Sequence, residues 1–430
     1  MAEDHVHEVL LEKPVAGGRS LARVDGRVVL VSGGIPGERA TILVEKTGKG
    51  VAFGRVVDVL DPSPDRVTPS GDPRCGGLVF AHVAAPRQLD IKRAIVQDAL
   101  ERIGGLRDLP PIDAVASPAT GWRLRARLHV QGRRVGFFLE GTHTLCDAGA
   151  SGQLAPGLLD LAAEVVARLR PEVVPSVEAV LVTQAVSGDG RAVHLELSRP
   201  LPRHGEVWSD GAPPDCAGVS AALASSRHPS TIEGDPRVRD AWTSLGLQVD
   251  DAVAGIARHA AAFFQGNRVL LPALLARVLG AAADAPRVVD LYAGVGLFGL
   301  AAAARGAGAV TCVEGDPISA EDLVANATAF GSRVRAVRGD VEGFVAGEGS
   351  RLADACVIVD PPRTGLSPVA LGAVAAARPS TVAYVSCDPA TLARDLKVLV
   401  AQGLAVETVT VFDMFPVTAH VEALVVLRRT

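Results

Sequence analysis

From residue 287 onward the apolar positions fall into short blocks separated by Ala-rich or Leu-rich stretches of helical character. The blocks are Arg287 to Leu291, Ala309 to Val313, Val334 to Val337, Ala355 to Asp360 and Thr381 to Cys387. Runs that are apolar throughout, joined by helical crossovers, predict parallel strands buried on both faces. Two further runs, Ala405 to Phe412 and His420 to Leu427, are separated by a short connection and predict a hairpin. The expectation is a Rossmann-like α/β domain with a seven-stranded sheet.

Upstream the period changes. Residues 5 to 60 carry five short β-branched runs between Gly-rich turns: His5 to Leu11, Ser20 to Val24, Arg27 to Val31, Arg39 to Glu45 and Val51 to Leu60. That spacing predicts a small barrel of the OB type. A linker rich in Pro and Gly follows from Asp61 to Pro73. Leu89, Ile91, Ile95, Ala99 and Leu100 then mark a helix from about Pro86 to Ile103, stopped by Gly104-Gly105. The middle mixes strand-like runs, Arg123 to Val130, Val177 to Ala185 and Ala192 to Ser198, with a helix at Pro156 to Leu169. A second breaker-rich stretch spans Pro200 to Gly218. Three parts are expected: a barrel at 1–62, an α+β domain at 63–255 and the Rossmann-like domain at 256–430.

The 430 residues are 48% hydrophobic and 21% charged, a globular composition with room for more than one core. The net charge of -5 argues against a uniformly basic nucleic-acid binder. Six scattered cysteines lack the spacing of a secreted disulfide framework, so a reducing cytoplasm is the simpler reading. Neither an apolar signal segment nor a run of 18 apolar residues occurs, which predicts no membrane partner.

Chemistry concentrates at the ends of the predicted parallel strands. Asp290-Leu-Tyr-Ala-Gly294-Val-Gly296-Leu-Phe-Gly299 closes the first strand, and Glu314 lies at the end of the second. The glycines alone suit a nicotinamide dinucleotide. An acid before them, able to pair a methionine amino group, and an acid able to take ribose hydroxyls favour S-adenosylmethionine. The hairpin ending points the same way, since a dehydrogenase more often continues with another crossover. Asp360-Pro361-Pro362-Arg363 follows the fourth strand, and two prolines stiffen the backbone that aims Asp360. Cys387 follows the fifth strand, just before a helix starting near Pro389, where the helix dipole is expected to lower its pKa. Cys312 and Cys356 sit inside apolar strands and read as packing residues. Glu422 stands in an otherwise apolar strand, where it is either solvent-facing or a general base.

Phe264-Gln265-Gly266-Asn267, the Asp290 motif, Glu314, Asp360-Pro-Pro-Arg, Ser386-Cys387-Asp388-Pro389 and His420-Val-Glu422 together resemble the RNA 5-methyluridine methyltransferase family. The barrel looks like that family's TRAM domain, and Gly121-Trp-Arg123-Leu-Arg125-Ala-Arg127-Leu is similar to its Arg-rich central strand. The resemblance implies that Gln265, Tyr292, Glu314, Asp360 and Asp340 contact S-adenosylmethionine, beside Asp290, Gly294 and Gly296 of the glycine turn, which the motif itself assigns to the cofactor. It makes Cys387 the nucleophile and Glu422 the base. It also implies action on RNA, with ribosomal RNA favoured over tRNA by the barrel; a monomer in the cytoplasm is the accompanying expectation. Two alternatives stay open: a cytosine-5-methyltransferase, and a non-catalytic RNA-binding protein on a methyltransferase scaffold.

Many relatives carry four cysteines for an iron-sulfur cluster, whereas this chain reads Cys75-Gly-Gly-Leu78 and has Ser151 at the position of the last ligand. No cluster and no other metal site is expected, because a cluster needs its full set of thiolates. Cys146 is close to this pattern but off it. Arg123, Arg125 and Arg127 alternate on one strand face, followed by Arg133 and Arg134, with no acid between Gly121 and Arg134. They are expected to contact RNA phosphates. Residues 1–145 hold 20 Lys plus Arg against 17 Asp plus Glu, while residues 146–430 hold 23 against 31. The acidity thus belongs to the second part of the chain, and RNA is expected to be held by the arginine stripe and the barrel.

Overall fold

The computed structural model describes residues 6–69, 71–201, 207–226, 228–249 and 255–429. His5, the centre of the Pro200 to Gly218 stretch and residues 250–254 before the expected boundary at 255 lie outside the described residues.

The first sheet is built from β1 (Val6–Leu10), β2 (Lys13–Val15), β3 (Arg19–Val24), β4 (Arg27–Ser32), β5 (Arg39–Thr47) and β6 (Val51–Asp61), in the order β1-β5-β6-β4-β3-β2. It has six strands where the sequence suggests five, because β2 is too short to show an alternation. Alternate residues Val29 and Val31, Ala40 and Ile42, and Ala22 turn inward with Val9, Leu11 and Ala52 to form a small core.

Helix α1 (Ala85–Arg102) begins with Pro86 in its first turn, a position that needs no N–H donor. Its buried face is Gln88, Ile91, Lys92, Ile95, Val96, Ala99 and Leu100, the 3.6-residue period of an amphipathic helix with two polar intruders. After α1 comes β7 (Ile112–Val115). The central sheet follows, with β8 (Arg125–Gln131), β9 (Arg134–Phe138), β10 (Leu145–Cys146), helix α2 (Leu158–Arg168), β11 (Val177–Gln184), β12 (Arg191–Leu197), β13 (Gly218–Leu223) and β14 (Ser230–Gly234). Its strand order is β10-β9-β8-β11-β12-β13-β14. A ribbon of β15 (Arg237–Ala241) and β16 (Gly255–His259) leads on to the last sheet.

That sheet alternates regularly: α3 (Leu271–Ala281), β17 (Val288–Leu291), α4 (Leu297–Ala304), β18 (Val310–Glu314), α5 (Pro317–Ala327), β19 (Val334–Arg338), α6 (Val341–Glu348), β20 (Cys356–Val359), α7 (Pro368–Ala377), β21 (Thr381–Ser386), α8 (Pro389–Ala401), β22 (Leu404–Phe412) and β23 (Glu422–Arg429). The order is β19-β18-β17-β20-β21-β23-β22-β7. β23 runs antiparallel between β21 and β22, so the terminal hairpin inserts its last strand into the sheet. An eighth strand not expected from the pattern, β7, extends the edge parallel to β22. Ile112-Asp-Ala-Val is too short and too far away in sequence to be read as part of this sheet. Strand residues such as Val289, Leu291, Val357, Val359, Val382 and Tyr384 bury one face with Val96, Ala99 and Leu100 of α1 and with α7 and α8. Val288, Ile358, Ala383 and Val385 bury the other face with α3 and α4.

The cysteines include one pair that the sequence does not suggest. Cys75 and Cys146 form a disulfide across 71 residues, joining the segment before α1 to the edge strand β10. Cys216, Cys312, Cys356 and Cys387 are free, and Cys312 and Cys356 are buried in their strands. The pairing brings together distant positions, which linear spacing does not reveal.

Candidate active site

The strand order reverses between β17 and β20, and an open α/β sheet presents its crevice at the carboxyl ends of such strands. Asp290 lies there, fully buried. Its Oδ2 accepts from the Gly299 amide at 2.8 Å, while its buried Oδ1 has no partner among the described residues. Just beyond, Tyr292, Gly294 and Gly296 take positive φ values of 62°, 57° and 98°, a tight turn that carries one non-glycine residue in the left-handed region. The two outer glycines have different reasons. A Cβ on Gly299 would lie 2.3 Å from Cys312 Sγ, so this position is closed by helix–strand packing. A Cβ on Gly294 would meet nothing within 4 Å, so this glycine borders open space. The Gly294 amide donates to Glu314 Oε2 at 2.7 Å, and the Asp316 amide donates to Oε1 at 2.6 Å, which holds the Glu314 carboxylate against the same turn.

Asp360 follows β20, and its Oδ2 accepts from Gln265 Nε2 at 3.0 Å. Gln265 is itself buried beside Asn267. Asn267 donates to Ser117 Oγ and the Met414 carbonyl and accepts from the Val269 and Leu270 amides, which locks the Phe264-Gln-Gly-Asn turn in place. Glu422 opens β23 and is buried, so the solvent-facing reading of this residue does not hold. Asp340 caps α6 by accepting from the Gly343 amide at 2.6 Å. It stands at the same edge, its Cα 3.5 Å from where a Cβ on Gly315 would lie.

Four carboxyl groups therefore converge, and each holds its proton more tightly than usual. Burial pushes Asp290 up to about 8, with the charges of Asp360 and Glu314 adding to it. Burial raises Asp360 to about 7 and raises Glu314. Glu422 rises well above the carboxylate range through burial and the charge of Asp360. Buried acids raised by one another fit a cationic ligand, and the orphaned Asp290 oxygen fits a donor. An anionic pyrophosphate gains no positive partner from this set, which disfavours the dinucleotide reading. The donor set suits S-adenosylmethionine, with its amino and sulfonium charges and its ribose hydroxyls.

Cys387 sits between the end of β21 and α8, half-buried. Antiparallel pairing of Ser386 with Ala423 places Cys387 and Glu422 at adjoining ends of neighbouring strands. Burial pushes the thiol up to about 11, Glu422 and Asp360 add to the rise, and Arg363 opposes it by charge and hydrogen bond. The expected lowering by the helix dipole is thus reversed. The Asp388 carboxylate already caps α8, accepting from the Ala390 and Thr391 amides at 3.0 and 2.9 Å, so those donors are spent. Arg363 also donates to His420 Nδ1 at 3.2 Å. Its place beside the thiol was missed from sequence, although it is the one cation of the Asp360-Pro-Pro-Arg motif.

The arginine stripe divides. Arg123, Arg125 and Arg127 share the half-buried face opposite Trp122, Leu124, Ala126 and Leu128, as the alternation predicts. Arg127 is paired with Glu196 at 2.6 Å and Glu178 at 3.5 Å. Arg133 caps the C-terminal end of α2 through the carbonyls of Val166, Ala167 and Leu169. Both are thus committed internally, which corrects the reading of five unbalanced cations. Arg123 lies over the Trp122 and Phe137 rings, and Arg125 over the exposed Phe263 ring at 5.5 Å. Burial brings both down to about 10, still charged at neutral pH. Arg134 is exposed. At the position expected for a cluster ligand, the Ser151 hydroxyl donates to the Ala148 carbonyl.

Comparison with known proteins bears on these features. The TRAM domain model matches residues 5–57, and the tRNA (Uracil-5-)-methyltransferase model matches residues 344–430, which include Cys387 and Glu422. The 23S rRNA (uracil(1939)-C(5))-methyltransferase RlmD of Thiobacillus denitrificans is 31% identical over 96% of this chain and 97% of its own. An uncharacterized RNA methyltransferase of Corynebacterium glutamicum is 31% identical over 100% and 98%. The crystal structure of Pyrococcus abyssi tRNA (uracil-54, C5)-methyltransferase, in complex with S-adenosyl-L-homocysteine, superposes with a TM-score of 0.68 at 22% identity, covering 98% and 99% of the two chains. Barrel, central sheet and Rossmann-like sheet thus recur together along the whole length, and the chain belongs to the RNA uracil-C5-methyltransferase family.

Proposed function

We propose that this chain methylates carbon 5 of a uridine in large-subunit ribosomal RNA, with Cys387 as nucleophile and Glu422 as base. The observation that carries the reading is the juxtaposition of Cys387 and Glu422 across β21 and β23, beside the acid-lined crevice. The relatives at 31% and 32% identity that carry a substrate in their name are named for 23S rRNA, whereas the match named for tRNA is 22% identical, which supports ribosomal RNA over tRNA.

Carbon 5 of uracil is a weak nucleophile. Loss of the Cys387 thiol proton to solvent leaves a thiolate, whose attack on carbon 6 forms a C–S bond and moves the ring electrons into an enolate, which makes carbon 5 nucleophilic. Bound S-adenosylmethionine supplies an electrophilic methyl group. Asp290, Glu314, Asp360, Gln265 and the Tyr292 to Gly296 turn would hold it, and Asp340 stands at the same edge. Glu422 acts in its ionised form, and its raised affinity for a proton makes it the stronger base: its carboxylate takes the proton left on carbon 5, the ring double bond re-forms and the sulfur departs as the thiolate. Arg363 faces the sulfur and stabilises the thiolate at both ends of this sequence. The base must leave its stack to reach the thiol, and Arg125 and Arg134, which have no acidic partner among the described residues, would hold the flanking phosphates, with Arg123 itself held by Gln153 and the Arg125 carbonyl.

The test is methyl transfer from labelled S-adenosylmethionine to unmodified transcripts of 23S rRNA and of tRNA, followed by nucleoside mass spectrometry. Label in 5-methyluridine from the rRNA transcript is expected. Label in 5-methylcytidine, or only in tRNA, would overturn the assignment.

A further inference from the structure

The segment Asp413 to Val421 connects β22 to β23 and delivers Glu422 to the site. Several elements far from it in sequence hold it. Lys92 of α1, fully buried, donates to Asp413 Oδ1 at 2.6 Å and to the Phe415 carbonyl at 2.8 Å. Gln88, one turn earlier, accepts from the Val417 amide at 2.8 Å and donates to the Phe80 and Val83 carbonyls. Asn267 donates to the Met414 carbonyl, and the Phe415 ring meets Trp122 edge-on at a centroid distance of 5.9 Å. Val417 is held at φ 67°, a conformation that a β-branched residue adopts only when its surroundings impose it.

The register gives this clamp its consequence. Phe412 is the cross-strand partner of Glu422, and Asp413 is the next residue. The Lys92–Asp413 pair therefore grips the strand end directly opposite Glu422, and the charge of Lys92 is also felt by His420. Burying an ammonium group is costly, and an apolar residue on this helix face would serve packing at least as well. What the pair adds is a directed contact that sets where the strand end lies.

We propose that Lys92 and Asp413 are positioning residues for Glu422, setting its place over carbon 5 of the bound uracil without touching the substrate. This rests on the assignment of Glu422 as the base. It predicts a specific lesion. Formation of the Cys387 adduct and methyl transfer should be preserved, while proton removal, the step that releases the enzyme, should be slowed. A displacement of about 1 Å at a catalytic group can cost about 100-fold.

The experiment compares wild type, Glu422→Gln, Lys92→Met and the pair variant Lys92→Met/Asp413→Leu. The pair variant removes both charges together, and the Phe415 carbonyl keeps its Thr418 donors, so it guards against misfolding of the single variant. Each protein is given unmodified 23S rRNA transcript and methyl-labelled S-adenosylmethionine. Labelled RNA that stays attached to protein in a denaturing gel is followed with time, alongside S-adenosylmethionine affinity and thermal melting. The pair variant is expected to melt near wild type, bind S-adenosylmethionine equally, form the labelled adduct at the wild-type rate and resolve it about 100-fold more slowly, as Glu422→Gln does. If it resolves the adduct normally while Glu422→Gln stalls, the pair is only structural and the inference fails alone. If Glu422→Gln also resolves normally, the base assignment fails and takes the inference with it.

Discussion

A resting thiol pushed up to about 11 makes Cys387 slow to react with ordinary alkylating reagents. At pH 7.5 such a group is thiolate to about 3 parts in 10,000, against about 9% for a free cysteine of pKa about 8.5. Its greater intrinsic nucleophilicity recovers about tenfold, leaving alkylation about 30-fold slower than for a free thiol. The rate should climb about tenfold per pH unit between 7 and 9.5, since no plateau comes before the thiol titrates. Iodoacetamide labelling with peptide mass spectrometry resolves Cys387 from Cys216, Cys312 and Cys356. Arg363→Met removes the cation that opposes the rise and should slow the labelling further. A plateau below pH 8, or labelling unchanged by Arg363→Met, would refute the idea that burial and the neighbouring carboxylates outweigh the arginine.

Further outcomes follow from the same geometry. Asp290 and Asp360 keep protons in the folded chain up to about 8 and 7, whereas the unfolded chain releases them above about 4, so their stabilising effect is lost progressively as pH rises from about 4 and is gone above about 8. His82, His194, His259 and His420, pushed down to about 4 by burial, act in the opposite sense, but only below about 6.5. Tm should therefore fall between pH 6.5 and 8 and level off above it, and Asp290→Asn should flatten the slope; a Tm that rises between pH 6.5 and 8 would contradict the carboxyl cluster. Reducing the Cys75–Cys146 bond should cost about 4 kcal/mol for a loop of this length, read by denaturant unfolding with and without reductant, and Cys146→Ser should lose that dependence. Arg134→Ala should weaken RNA binding and lower its salt dependence with stability unchanged, whereas Arg133→Ala should chiefly lower stability, by about 1 kcal/mol, because it uncaps α2. Filter binding and thermal melts separate the two.

Where a local pattern carries the information, the sequence was legible. The strand runs, the glycine turn and the alternation of Arg123, Arg125 and Arg127 depend on neighbours within a few residues, and each element lies within a residue or two of its expected place. What could not be read depends on partners remote in the chain. β7 joins the Rossmann-like sheet from residue 112, and Cys75 finds Cys146. Arg133 meets the end of α2, and Lys92 meets Asp413. The Cys387 pKa was misjudged for the same reason. The helix N-terminus is visible in sequence, whereas Asp388 consuming its donors and Glu422 arriving from β23 are facts of tertiary structure.

The central claim, a covalent bond between Cys387 and carbon 6 of a uracil, is tested most directly with 23S rRNA transcript containing 5-fluorouridine. Fluorine cannot leave as a proton does, so the adduct that Glu422 would resolve should persist. Wild-type protein with S-adenosylmethionine should give a protein–RNA species stable to denaturation, with the RNA mapped to the peptide containing Cys387, and Cys387→Ala should give none. The same species formed equally by Cys387→Ala would contradict the account.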